Sequence, residues 1–211
     1  LLPEEYVNEL TKLQSNAPPM GWNFVKRRMK NELGFSWLDF FDSFEKQPFA
    51  AASLGQVHRA IYKGEDIVCK LQYPDMNSIV EADVNQLKLI FSIYKKIDKS
   101  IDTSEIQKEI STRIKEELDY NQEQKHIKFF DLIFKKFKDI RIPKVYNEIS
   151  SNRLISMNYL PGNKLLHFKK HPHSVRQKIA KNMFKAWYYP FYKYGVIHGD
   201  PHLGNYSSDT N

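Results

Sequence analysis

The chain carries one cysteine, Cys69, so an internal disulfide is excluded and the composition fits a reducing compartment. No apolar run approaches the roughly 20 residues that a membrane-spanning helix needs. The opening Leu1-Leu2-Pro3-Glu4-Glu5 lacks the basic start and apolar stretch of a signal peptide, so none is expected. Neither an internal repeat nor a low-complexity tract is visible. The first residue is not Met, as expected of a fragment, a trimmed chain or a non-standard start.

What is present is a globular composition. The 211 residues are 41% hydrophobic and 14% aromatic, enough for one domain or two small lobes around a real core. The formal charge is +7, concentrated in Lys26-Arg27-Arg28-Met29-Lys30, Lys135-Lys136-Phe137-Lys138 and Lys169-Lys170-His171. Short basic clusters of this kind are solvated helix faces, or they meet anionic lipid headgroups or an acidic partner. Nucleic acid is not expected as a partner, because no binding motif accompanies them.

The most informative stretch is His198-Gly199-Asp200-Pro201-His202-Leu203-Gly204-Asn205. An Asp two residues after a His, with an Asn five residues later, has the spacing of a phosphotransferase catalytic loop. Asp200 can accept the proton of an incoming hydroxyl, and the Asn205 carbonyl can hold a Mg²⁺. Taken alone the stretch also reads as a plain turn, or as a His198, Asp200, His202 metal cluster.

A second feature precedes it in the order a kinase requires. Ala50-Ala51-Ala52-Ser53-Leu54-Gly55 is a small-residue loop that runs into an apolar segment, then Tyr62-Lys63-Gly64-Glu65 as a turn, then Ile67-Val68-Cys69-Lys70-Leu71. The pattern predicts loop, strand, hairpin turn and strand. Small side chains let a backbone approach phosphates closely. Lys70, inside the apolar strand, loses solvation unless it meets an anion.

These motifs resemble the UbiB (AarF-like) family of atypical protein-kinase-like proteins, whose members support ubiquinone biosynthesis. The family's alanine-rich loop matches Ala50 to Ala60, its nucleotide-contacting Lys falls on Lys70, and its Glu-x-Asp motif falls on Glu117-Leu118-Asp119. Lys70-Leu71-Gln72-Tyr73-Pro74 and the leading segment 2–14 fit the pattern too.

The resemblance implies an α+β, protein-kinase-like fold. It implies a partial helical N-terminal extension over 1–48, a small lobe with a five-strand-type sheet over 49–160, and the start of a large lobe over 161–211. It implies ATP (or ADP) and Mg²⁺ as cofactors, with Asp200, Lys70 and Glu123 catalytic and Asn205 on the metal. Ala50, Ala51, Ala52, Ser53, Gly55 and Lys70 would contact the nucleotide. Met157 would border the adenine pocket, and the backbone of Asn158, Tyr159 and Leu160 would contact the base. Glu117 and Asp119 would be regulatory, facing the N-terminal extension. The expected partners are the nucleotide, an anionic membrane surface or lipid-pathway proteins, and a chain completing the large lobe. The expected location is cytoplasmic, peripheral at the inner membrane, on the matrix side in a eukaryote.

A coarse pass predicts helices over 4–14, 23–32 (stopped by Gly34), 36–44 and 77–98, and one from residue 102 or 103 through Leu118. A further helix starts at Ser174 and ends at Gly195. Strands are expected over 142–148 and 153–159. Val80, Val84, Leu87, Phe91 and Tyr94, and Ile106, Ile110, Ile114 and Leu118, form apolar stripes expected in the core. On a straight helix Glu117 and Glu123 point about 240° apart, so both cannot face Lys70. The resemblance puts Glu123 opposite that Lys.

Departures from the pattern are Leu203, where the family commonly has Pro, and Val68, where many kinases have Ala. The family's Lys-x-Gly-Gln motif is absent, and the sequence ends before an Asp-Phe-Gly. The chain alone is therefore expected to be inactive, and poorly soluble or partner-dependent. Phe184, Trp187 and Phe191 would be left without partners. Two alternatives to the UbiB-type kinase or ATPase are a silent nucleotide-binding remnant and a small-molecule phosphotransferase of the aminoglycoside or choline kinase type.

Overall fold

A computed structural model describes residues 19–52, 54–97, 103–199 and 203–209. The expected helix over 4–14 lies outside them. The chain divides into two compact units. The first runs through His126 and takes in Val145–Asn158; the second holds Ile127–Lys144 and the chain from Tyr159 onward.

The first unit is built on a five-stranded sheet. Its strands are β1 (Ser43–Phe44), β2 (Ala50–Ala52), β3 (Gly55–Tyr62), β4 (Glu65–Gln72) and β5 (Leu154–Asn158). All pairings are antiparallel: β4 lies between β3 and β5, and both β1 and β2 pair with β3. The β3–β4 hairpin closes through Lys63 (φ 52°) and Gly64 (φ 76°). Two consecutive positive φ values match the right-handed twist of the strands, which is why a two-residue turn serves here.

Alternation along the strands separates two faces. One carries Ala60, Tyr62, Ile67, Cys69, Leu71 and Leu154 into a core completed by helix α1 (Trp22–Leu33) and Trp37, Phe41 and Tyr146. Phe24, Val25 and Met29 supply the buried stripe of α1. Gly34, at φ 91°, ends that helix where the sequence predicts. The other face carries Val57, Lys70 and Ile155, which are cross-strand partners.

Helices α2 (Met76–Ile97), α3 (Thr103–Glu117) and α4 (Tyr120–Phe134) follow β4. Val80, Val84 and Leu118 are buried together, with Ile114 packed against them. Ile106, read from the sequence as core, is 46% exposed, because the stripe meets its apolar partners only toward the Leu118 end.

Three further expectations are corrected. Residues 36–44 are not one helix: a short 3₁₀ turn, Trp37–Phe40, gives way to β1. The extended backbone pairs Phe44 with Ala60 and stacks its ring 5.5 Å from that of His58, a better burial than a third helical turn offers. Residues 142–148 do not form a strand. They contribute a single bridge, Val145 to Met157, before a 3₁₀ turn at Asn147–Ile149. Pro143 has no N–H to give a ladder there. Finally, the helix carrying Glu117 stops, and α4 begins afresh at Tyr120. The Asp119 side chain accepts the Asn121 N–H at 2.9 Å, a new N-cap that makes the straight-helix geometry inapplicable.

In the second unit, Phe134 and Phe137 pack around Tyr189 of helix α5 (His173–Tyr194), and Phe168 is buried. Gly195, in the left-handed region at φ 68°, caps α5 by donating to the Phe191 carbonyl. Strands β6 (Asn163–Lys164) and β7 (Ser207–Ser208) pair antiparallel. Phe184 and Phe191 are exposed, whereas Trp187 is partly buried and donates from Nε1 to the Tyr206 hydroxyl at 2.8 Å.

Candidate functional site

Lys70 sits on β4 in a row of cross-strand partners that runs Ala50, Val57, Lys70, Ile155. Residues directly opposite in antiparallel strands share a face, so Ala50 and Lys70 lie on the same side of the sheet, away from the aromatic core, while Ala51, opposite Gln56, faces the other way. Val68 and its partner Met157 occupy the next row on that face, and Asn158 pairs with Ile67. Sequence reasoning expected a loop over the alanines. The structure makes Ala50–Ala52 a short strand instead, because β3 has an open edge there and each alanine finds a partner on it.

Gly55 is required by its surroundings. A Cβ there would lie 2.2 Å from the Leu71 carbonyl oxygen and 2.9 Å from its carbon. Backbone meets backbone at that point, and no side chain can move aside.

The Lys70 ammonium donates to both carboxylate oxygens of Glu123, at 2.9 and 2.8 Å. Glu123 is in the first turn of α4, and the two side chains are 22% and 34% exposed. The same ammonium stands 4.8 Å from the centre of the Tyr120 ring. The Tyr120 hydroxyl is buried without a hydrogen-bond partner among the described residues. Burial, then the charges of Glu123 and Glu117, push its pKa upward. A half-buried ammonium on a sheet face lined by small and apolar residues is chemically suited to phosphate oxygens.

The remaining residues singled out from sequence are placed as follows. Glu117 is exposed at the end of α3 and is not at Lys70. Asp119 caps α4. Tyr159, Leu160 and Asn205 belong to the second unit, with Asn205 on an exposed 3₁₀ turn, Leu203–Asn205. Ser53, Asp200 and His202 lie outside the described residues. The His198 ring is held between Phe130 at 6.2 Å and Tyr206 at 6.0 Å.

Several residues that shape the site were missed from sequence. Gln56 and His58, within the alanine motif, are fully buried on the core face. The Gln56 amide accepts the Met20 N–H at 2.8 Å and donates to the Met20 carbonyl at 3.1 Å and to His58 Nε2 at 2.8 Å. His58 Nδ1 lies 2.9 Å from the Glu45 carbonyl and must donate to it. The ring is therefore neutral, and burial lowers its pKa. Arg28, read as part of a solvated basic run, is only 7% exposed and binds backbone carbonyls at the end of β4. The period of two along a strand, which puts Gln56 and His58 on the same face as Ala60, was the one available signal for two polar residues facing inward.

Known proteins carry the same pattern. The model of the ABC1 atypical kinase-like domain matches residues 12–211. The chloroplastic protein ACTIVITY OF BC1 COMPLEX KINASE 8 of Arabidopsis thaliana is 32% identical over 99% of this chain and 28% of its own length. The mitochondrial atypical kinase COQ8 of Saccharomyces cerevisiae is 27% identical over 98% of this chain and 41% of its own. The chain thus spans between about a quarter and two-fifths of these curated relatives. A structure of Rv3197 from Mycobacterium tuberculosis in complex with erythromycin superposes with a TM-score of 0.79 at 28% identity, covering 97% of this chain and 52% of that one. The α+β fold is protein-kinase-like, and the UbiB resemblance extends over the chain. Among the described residues, no helix is long and apolar enough to cross a membrane. Taken with the alanine segment on β2 and the Lys70–Glu123 pair, the match places this chain in the ABC1 family of atypical kinase-like proteins.

Proposed function

We propose that this chain is the nucleotide-binding part of an atypical kinase or ATPase of the UbiB type, acting with Mg²⁺-ATP in support of ubiquinone biosynthesis. The observation that carries this reading is the pairing of Lys70 with Glu123 beside the alanine-bearing strand. The pair holds an ammonium on the sheet face that carries Ala50, Val57 and Ile155. Lys70 then neutralises phosphate charge, and Glu123 keeps its ammonium oriented. The small residues Ala50 to Gly55 let backbone approach the nucleotide closely, Met157 borders the base, and the backbone of Asn158 to Leu160 meets its edge.

In the second unit Asp200 is the base that takes the proton of the acceptor hydroxyl or water. The Asn205 side-chain carbonyl is the candidate Mg²⁺ ligand, a hard oxygen donor of the right kind. The bound metal supplies charge neutralisation at the phosphate oxygens. Glu117 and Asp119 act as regulatory residues at the α3–α4 break. Membership of the ABC1 family speaks against a small-molecule phosphotransferase.

The location read from the sequence, cytoplasmic and peripheral at the inner membrane, on the matrix side in a eukaryote, stays part of this proposal; the names of the chloroplastic and mitochondrial relatives support an organellar setting. The basic runs at Lys135-Lys136 and Lys169-Lys170 supply attraction to anionic headgroups. The test is direct: Mg²⁺-ATP binding and hydrolysis are measured for the chain beside Lys70→Ala and Asp200→Asn. Nucleotide binding is expected to weaken in the first and to persist in the second, where any turnover is lost. Equal nucleotide affinity in Lys70→Ala and the parent chain would overturn the reading.

A further inference from the structure

The Lys70–Glu123 pair joins residues 53 positions apart, and both side chains are partly solvated. An ion pair at such exposure contributes little to stability, typically below about 1 kcal/mol, so it cannot fix the helix that carries it. Something buried must set the height of α4 against β4.

The geometry points to Gln72 and Arg28 as positioning residues that do this, an inference that rests on the nucleotide-binding role proposed for Lys70. Gln72 is two residues beyond Lys70 and is 3% exposed. Its side-chain amide donates to the Leu118 carbonyl at 2.9 Å, at the break between α3 and α4. Leu118 precedes Asp119, whose carbonyl accepts the Glu123 N–H at 3.3 Å and whose side chain caps the helix. One hydrogen bond therefore ties the strand residue after Lys70-Leu71 to the turn that launches Glu123.

Arg28 closes the other side. Its guanidinium donates to the Gln72 carbonyl at 3.1 Å, the Tyr73 carbonyl at 3.2 Å and Glu32 at 3.2 Å. The second Glu32 oxygen accepts the Ser151 hydroxyl at 2.7 Å. The turn after Ser150 returns to both partners: Gln72 N–H donates to the Arg153 carbonyl at 3.1 Å, and Tyr120 N–H to the Asn152 carbonyl at 3.2 Å. Gln124 of α4 donates to the Ser151 carbonyl at 2.9 Å. The circuit thus runs from α1 through the end of β4 and the start of α4 to the 150–153 turn and back to α1. Its key members, Arg28, Gln72 and Gln124, are all buried, where removing one donor strands an acceptor.

The test uses Gln72→Met, which keeps length but has no donor, and Arg28→Lys, which keeps charge but loses the fork. Each is made in the full chain and again with Lys70→Ala, and Mg²⁺-ATP affinity is measured. Gln72→Met is expected to weaken binding about threefold to tenfold, the loss of roughly one hydrogen bond. It is expected to add nothing once Lys70 is gone. A penalty of the same size in the Lys70→Ala background, or none in the parent, overturns the inference.

Two readouts need no nucleotide. Amide exchange at Asn121 to Glu123 should quicken in both variants while β3 stays protected. The Lys70–Glu123 coupling in a thermal double-mutant cycle should vanish in Gln72→Met. Unchanged exchange and coupling sink the inference even where nucleotide binding holds. Absence of Lys70-dependent nucleotide binding in the parent chain sinks the function proposed above and leaves these two readouts to decide the bracing role. Should Gln72→Met fail to fold, Arg28→Lys carries the same outcomes.

Discussion

Lys70 reaches both carboxylate oxygens of Glu123, at 2.9 and 2.8 Å, from a strand with apolar neighbours Cys69 and Leu71 on either side. Replacing Lys70 by Ala is expected to weaken Mg²⁺-ATP binding by roughly 10- to 100-fold, because charge-assisted hydrogen bonds are worth about 1.5–3 kcal/mol. Folding stability should change by less than about 1 kcal/mol, since the pair is partly solvated. Isothermal titration beside urea denaturation separates the two effects.

Asp119→Ala removes the side-chain cap from the first turn of α4. The expected loss is about 1 kcal/mol of stability, the usual value of an N-cap. Asp119→Asn should retain most of it, because an amide oxygen can accept the same N–H. Denaturant midpoints of the three proteins check this.

His58 is buried as the neutral ring, with its pKa held below the ordinary 6.5 by loss of solvation. The unfolded chain therefore binds the proton more readily, so stability is fully present above about pH 6.5 and falls as the pH drops below it. Melting temperature should decline between pH 7.5 and the lowered pKa, with a flatter profile in His58→Gln. A His58→Gln profile as steep as the parent's would show that other groups set the acid sensitivity.

Burial pushes the Cys69 thiol up to about 12, with the Ser156 hydroxyl pulling the other way. As the thiolate is the reactive form, Cys69 should ignore thiol reagents in the native chain at neutral pH. It should react promptly in denaturant, as mass spectrometry would show.

The hairpin, its embedded Lys and the helix stops at Gly34 and Gly195 could be read from the sequence because each is a local signal. Apolar alternation, a two-residue turn and a glycine after a periodic run carry their own geometry. Arg28 could not be read this way. It lies in a basic run, and its acceptors, the carbonyls of Gln72 and Tyr73, are more than forty residues away. Gln56 and His58 were hidden for the same reason, their partners being backbone atoms of Met20 and Glu45. The break between Glu117 and Tyr120 escaped because Asp119 reads equally as a helix-surface residue or a cap, and the bonds that decide between them come from distant residues, Gln72 and Asn152. Glu123 was placed opposite Lys70 by family likeness, not by helical arithmetic, which assumed a helix that does not exist.

The contact at Gly55 also bears on how this chain tolerates change. With the Leu71 carbonyl oxygen 2.2 Å from where a Cβ would stand, the obstacle is the same for a methyl group as for an indole. Substitutions there should not be graded by size, charge or polarity, and a saturation library should lose the whole column at once. Ala50, exposed on the edge of the same strand pair, should give a graded column in that library. The contrast would distinguish a position fixed by the spacing of two backbones from one fixed by what lies over the sheet.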